Sequence, residues 1–140
     1  MGSIITSLIA GDAAAGSTAG ESSGLARVST VHSSQRWQLQ FNEYKQLNKL
    51  VVVDFSATWC GPCKMMEPIF NDLSIKYSDV DFVKIDVDEL SDVAREFGVQ
   101  AMPTFLLLKQ GMEVERVVGA KKDELEKKIL KHREAPKFAT

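Results

Sequence analysis

Leu50-Val51-Val52-Val53-Asp54-Phe55-Ser56-Ala57-Thr58-Trp59-Cys60-Gly61-Pro62-Cys63-Lys64 is the stretch on which the reading of the chain turns. Residues 50–56 are an apolar run interrupted by Asp54, the pattern of a strand buried on both faces. Beyond the cysteines, Met66, Phe70, Leu73 and Tyr77 recur at spacings of four, three and four, which predicts a helix to about Tyr77. Two thiols separated by two residues therefore sit where a strand hands over to a helix. Cys60 falls near the helix N-cap, and Pro62 takes a first-turn position where a missing N–H costs nothing.

The thiolate, not the thiol, attacks disulfides. Unpaired N–H groups and the positive end of the helix dipole face Cys60 and favour its anion. Lowering a thiol pKa from ~8.5 to ~7 takes roughly 2 kcal/mol, of which the dipole supplies only ~0.3–1 kcal/mol. Direct hydrogen bonds from backbone amides or from the Cys63 thiol are expected to supply the rest. Cys63, one turn in, is expected to be the less exposed partner, waiting to attack the mixed disulfide that Cys60 forms.

The chain holds only these two cysteines. As a structural staple they would close a very short loop, worth about 2 kcal/mol in the chain-entropy account. A zinc site fails on ligand count, because His32 and His132 lie far apart in the chain and neither shows the usual pairing. Redox chemistry is the reading that remains, with no metal and no bound cofactor. The lack of other cysteines suits a reducing compartment. A net charge of −2 gives no electrostatic reason to expect nucleic acid as a partner. No run approaches the ~20 apolar residues that a membrane span requires.

The 140 residues suit one domain with tails. Residues 1–26 are rich in Ala, Gly and Ser and read as a disordered extension, residues 27–133 as the folded unit and residues 134–140 as a flexible tail. Within the fold, residues 25–31 are expected to form an edge strand, and Ser34 to cap a helix to about Asn48 with Trp37, Phe41 and Tyr44 on its apolar face. Strands at 50–56 and 81–87 flank the motif helix as a parallel β-α-β unit. Residues 91–97 form a short helix stopped by Gly98. Residues 104–109 and 113–118 form a hairpin around Gln110-Gly111, and residues 121–132 a last helix. Pro68 falls inside the motif helix and deletes one backbone bond, so a kink is expected. Met65 and Met66 are both read as packing residues. Periodicity alone stops at one sheet in an α/β or α+β protein.

Trp59-Cys60-Gly61-Pro62-Cys63-Lys64 after Val53-Asp54-Phe55, with Met102-Pro103-Thr104 further on, resembles the thioredoxin family. Residues 36–131 run in that family's order, and the N-terminal wording is similar to plant h-type members with an extended N-terminus. The resemblance implies the thioredoxin fold, an α/β architecture with a mixed central β-sheet flanked by helices on both faces.

It also implies roles. Asp54, whose desolvation in the strand should raise its pKa, stands where the family has the aspartate credited with taking the second thiol's proton through water. Lys84 matches the family's lysine near that aspartate. Pro103 matches a cis-proline beside the dithiol, which holds Met102 so that its backbone can pair with an extended substrate segment. Trp59 is expected on the docking surface with Pro62, and Gly61, Gly119 and Ala120 match small residues that leave the thiol face open.

The implied activity is that of a general protein disulfide reductase acting on disulfide-containing target proteins. Recycling would fall to the NADPH-dependent flavoenzyme thioredoxin reductase, since the chain itself shows no nucleotide-binding motif. Gly61-Pro62 favours a reductant over the more oxidising Gly-His of disulfide isomerases. A non-redox binding module or membrane-tethered adaptor and an isomerase-like oxidant are the alternatives. A monomer is expected. Met1-Gly2-Ser3-Ile4-Ile5-Thr6 fits the N-myristoylation pattern, making Gly2 a lipidation candidate. One acyl chain with no neighbouring cysteine or basic cluster predicts weak, reversible membrane association. The expectation is therefore a cytoplasmic protein, in part at membranes, with organelle import left open.

Overall fold

The computed structural model describes residues 25–133. In chain order the elements are β1 (Val28–Val31), α1 (Ser34–Tyr44), β2 (Leu50–Ser56), α2 (Gly61–Lys76), β3 (Asp81–Asp86), α3 (Ser91–Glu96), β4 (Thr104–Lys109), β5 (Met112–Val118) and α4 (Lys122–His132). The extension, the tail from residue 134 and Gly2 lie outside the described residues.

The strands form one sheet in the order β1-β3-β2-β4-β5. β1, β3 and β2 run parallel to one another, β4 runs antiparallel to β2, and β5 antiparallel to β4. This is the mixed sheet of the thioredoxin fold. Alternation along the strands sorts side chains between two cores. Val51, Val53 and Phe55 of β2 pack with Trp37 and Tyr44 of α1 and Val93 of α3. Leu50 and Val52 pack with Met66, Phe70 and Leu73 of α2 and Leu125 and Ile129 of α4. Asp54 belongs by alternation to the second set, so its side chain is directed to the α2 side of the sheet. Lys84, its register partner on β3, follows Phe82 onto that same side.

Several element ends differ from the sequence expectation. The N-cap of α1 is Ser33, whose Oγ accepts the Arg36 N–H at 3.1 Å, while Ser34 donates its hydroxyl to Asp92. α1 ends at Tyr44 rather than near Asn48, because Gln46 and Leu47 bond back three residues, to Glu43 and Tyr44, and the helix closes as tight turns. β1 starts at Val28, and β3 is one residue shorter than expected. The hairpin turn is Gln110-Gly111, both with positive φ, and β5 starts directly after it at Met112. α2 runs uninterrupted through Pro68.

Register fixes which end of the molecule each feature occupies. Val28 of β1 and Val52 of β2 both pair with Phe82, so the chain enters the sheet level with the early part of β2. There the Arg27 N–H donates to Ser74 Oγ at 2.8 Å and its guanidinium to the Ser78 carbonyl, at the C-terminal end of α2. The cysteines sit at the other end, beyond the last residue of β2.

Candidate active site

β2 ends at Ser56, and a short turn through Ala57, Thr58 and Trp59 delivers Cys60 to the N-cap of α2. The Cys60 N–H donates to the Ala57 carbonyl at 3.3 Å, which sets the turn. Cys60 Sγ accepts the Cys63 N–H at 3.2 Å, so a sulfur occupies the place of a capping oxygen. This is the direct amide bond that the dipole alone could not replace. In the reduced protein it favours negative charge on Cys60.

Cys60 and Cys63 are joined as a disulfide, with Cα atoms 5.2 Å apart. Such a pair accepts two electrons when oxidised and donates two when reduced. The expected difference in exposure is absent: Cys60 is 5% and Cys63 7% exposed. The reason is the loop before β4, which covers Cys60 and brings the Met102 carbonyl oxygen to 3.5 Å from its Sγ.

Behind the pair, Asp54 is 3% exposed and its Oδ1 has no hydrogen-bond partner among the described residues. Burial pushes its carboxyl up to about 7, against the pull of Lys84 and with a smaller upward push from Glu67. A carboxyl there can gain or lose a proton at neutral pH. Lys84 is its strand partner, but the ammonium bonds Glu67 Oε2 at 2.9 Å. A cleft of about 460 Å³ lies over this corner, lined by Cys63, Lys64, Glu67, Lys84 and Ser56 among others.

Around the thiols, three segments converge. Trp59 is 65% exposed, with its indole N–H donating to Asp88 at 2.8 Å. Gly61 and Pro62 are exposed at the helix start. The Met102–Pro103 peptide is cis, and the Gly119 N–H donates to the Pro103 carbonyl at 2.8 Å, which ties the end of β5 to this loop. Ala120 follows, exposed. Gly119 has a φ of 101°, a conformation that side-chain-bearing residues rarely take. Met66 is buried as expected, whereas Met65 is 65% exposed.

Two residues of this region escaped the sequence reading. Glu67 had a local signal, since it lies four residues after Cys63 and so on the same helix face. Asp88 had none, because its pairing with Trp59 depends on how the loop after β3 meets the loop after β2. Among the described residues, no group of three or more His, Cys, Asp or Glu side chains is placed to hold a metal ion.

A family model described as Thioredoxin matches residues 29–131. Thioredoxin H2 of Arabidopsis thaliana is 64% identical over 115 residues, covering 82% of this chain and 86% of the relative. Thioredoxin H2-2 of Oryza sativa subsp. japonica is 57% identical over 112 residues, 79% of this chain and 84% of the relative. Among solved structures, the thioredoxin NaTrxh from Nicotiana alata superposes with a TM-score of 0.80 at 78% identity, covering 85% of this chain and 100% of that one.

Proposed function

Because the chain belongs to the thioredoxin family, we propose that its protein-disulfide reductase chemistry runs from Cys60, through Cys63, to Asp54. The observation that carries this assignment is the Cys63 N–H bonded to Cys60 Sγ at the start of α2. Reduced Cys60, as thiolate, attacks one sulfur of a target disulfide. A Cys60–target bond forms, the target's S–S bond breaks, and one target thiolate leaves. Cys63 then gives its proton to the Asp54 carboxylate and attacks Cys60 Sγ, releasing the second target thiolate. The target has gained two electrons and Cys60–Cys63 is a disulfide. A thioredoxin reductase returns the pair to the dithiol, and the proton on Asp54 leaves to solvent.

Trp59, Gly61, Pro62, Met102, Gly119 and Ala120 form the face that receives the target, with the buried Pro103 supporting it from beneath. The exposed Trp59 and the Met102 backbone supply the docking contacts in this reading. Lys84 acts on the charge of Asp54 rather than on the target. For location, the reading is a cytoplasmic protein, partly and reversibly at membranes through acylation of Gly2. Its support is the Met1-Gly2-Ser3-Ile4-Ile5-Thr6 pattern. Among the described residues no helix is long and apolar enough to cross a membrane.

Roles are tested by trapping. Cys63→Ser should accumulate a covalent adduct with target proteins through Cys60, visible on non-reducing gels and cleared by dithiothreitol. Cys60→Ser should form none and turn over no disulfide; turnover by that variant would overturn the assignment. Intact mass of the protein isolated from its own cells reads acylation at Gly2 directly.

A further inference from the structure

Asp54 and Lys84 are register partners on adjacent parallel strands, and both are directed to the α2 side of the sheet. Strand spacing puts their Cα atoms about 4.8 Å apart. A lysine so placed beside a buried carboxylate would be expected to pair with it, and a carboxylate with such a partner is held ionised. The ammonium instead lies on Glu67 Oε2 at 2.9 Å, one turn beyond Cys63 on α2, and Asp54 Oδ1 is left without a partner among the described residues. As a surface ion pair, Lys84–Glu67 is worth at most about 1 kcal/mol of stability. Lys84 and Glu67 are both partly exposed, with side-chain exposures of 32% and 55%. The pair's effect on a desolvated carboxyl beside it is the larger consequence.

We propose that Glu67 is a positioning residue for the resolving step, holding the Lys84 ammonium off Asp54 so that the buried carboxyl stays free to accept the Cys63 proton. The inference rests on Asp54 acting as the base for Cys63. The other charged groups at the cleft are Lys64 on α2, Asp86 on β3, His32 just past β1 and Glu89 before α3. His32 and Glu89 face each other at 3.1 Å, and of the two lysines at the cleft it is Lys84 whose charge acts on the Asp54 carboxyl. β4 adds no charge there: Phe105 stands opposite Asp54 in the register.

The experiment follows Asp54 in the oxidised full chain by carboxyl ¹³C NMR titration, and the resolving step by single-turnover reduction of an aromatic disulfide whose two coloured thiolates leave in succession. Glu67→Gln should lower the Asp54 midpoint by about one pH unit, since it removes a negative neighbour and frees Lys84 to approach. The pH midpoint for loss of the second thiolate should move by the same amount, and at pH 8 that step should slow about threefold as the base weakens. In a Lys84→Met background, Glu67→Gln should move the Asp54 midpoint by less than half as much. Equal shifts in both backgrounds, or no shift in either, overturn the proposal. Asp54→Asn separates the two readings: a wild-type pH profile for the second thiolate in that variant would remove Asp54 as the base, whatever Glu67 does to its titration.

Discussion

Asp54 is a carboxyl whose proton is held more tightly in the folded chain than in the unfolded one, up to about 7 against an ordinary 3.8. Its contribution to stability is therefore full below pH ~4 and is lost as pH rises through about 7, a swing of roughly 4 kcal/mol if the whole shift is realised. Asp54→Asn should cancel that swing. The difference in unfolding free energy between the oxidised wild type and Asp54→Asn, measured in denaturant, should favour the variant increasingly from pH 4 to pH 8 and then level off. A pH-independent difference would contradict the raised pKa. The same variant should slow release of the second target thiolate by about tenfold or more at pH 7. Asp54 was legible in the sequence as a carboxylate in an apolar strand, a pattern that a paired strand aspartate explains as readily, and only the family resemblance pointed it toward proton transfer. The partner of Lys84 was not. Strand alternation places the lysine beside Asp54, but whether its long stem reaches inward or out to Glu67 depends on how α2 lies across the sheet.

Elements were legible in type and less so at their ends. Ser33 and Ser34 are equally good caps by composition, and only the tertiary bond from Ser34 to Asp92 assigns them different work. Ser33→Ala should cost about 1 kcal/mol in chemical denaturation through the lost α1 cap. The hairpin between β4 and β5 was readable from Gln110-Gly111, although its bulge between Leu107 and Leu108 was not. At Gly111 φ is 80°, and an added Cβ would come within 2.7 Å of Lys45 Cγ. Gly111→Ala should therefore destabilise by about 1–2 kcal/mol. The backbone strain should persist in a Gly111→Ala/Lys45→Ala double variant, because shortening Lys45 relieves only the contact. Full recovery in the double variant would show that crowding alone was at fault. The early end of α1 had no local signal: Leu47 continues the apolar spacing three residues after Tyr44, and nothing in the sequence distinguishes a helix continuing to Asn48 from the tight turns that replace it.

At the scale of the molecule, the apolar runs and their alternation set the sheet and its two covering layers. The site then follows, because β2 and α2 can meet only at one end of that sheet. What the sequence did not show is where the chain enters the sheet relative to that end. Arg27 is fastened to Ser74 and Ser78, near the finish of α2, whereas the cysteines stand at its start. Deleting residues 1–24 should consequently leave the rate of insulin disulfide reduction within about twofold of the full chain, and should abolish any recovery on lipid vesicles. A large loss of reductase rate would mean that the extension reaches the thiols. The same placement of Arg27 makes the start of the folded unit a natural handle. Coupled to a resin or an electrode through Leu25 in a protein lacking residues 1–24, the fold would be gripped by its blind end, with its working mouth turned toward the bulk, so that large clients dock as readily as small ones.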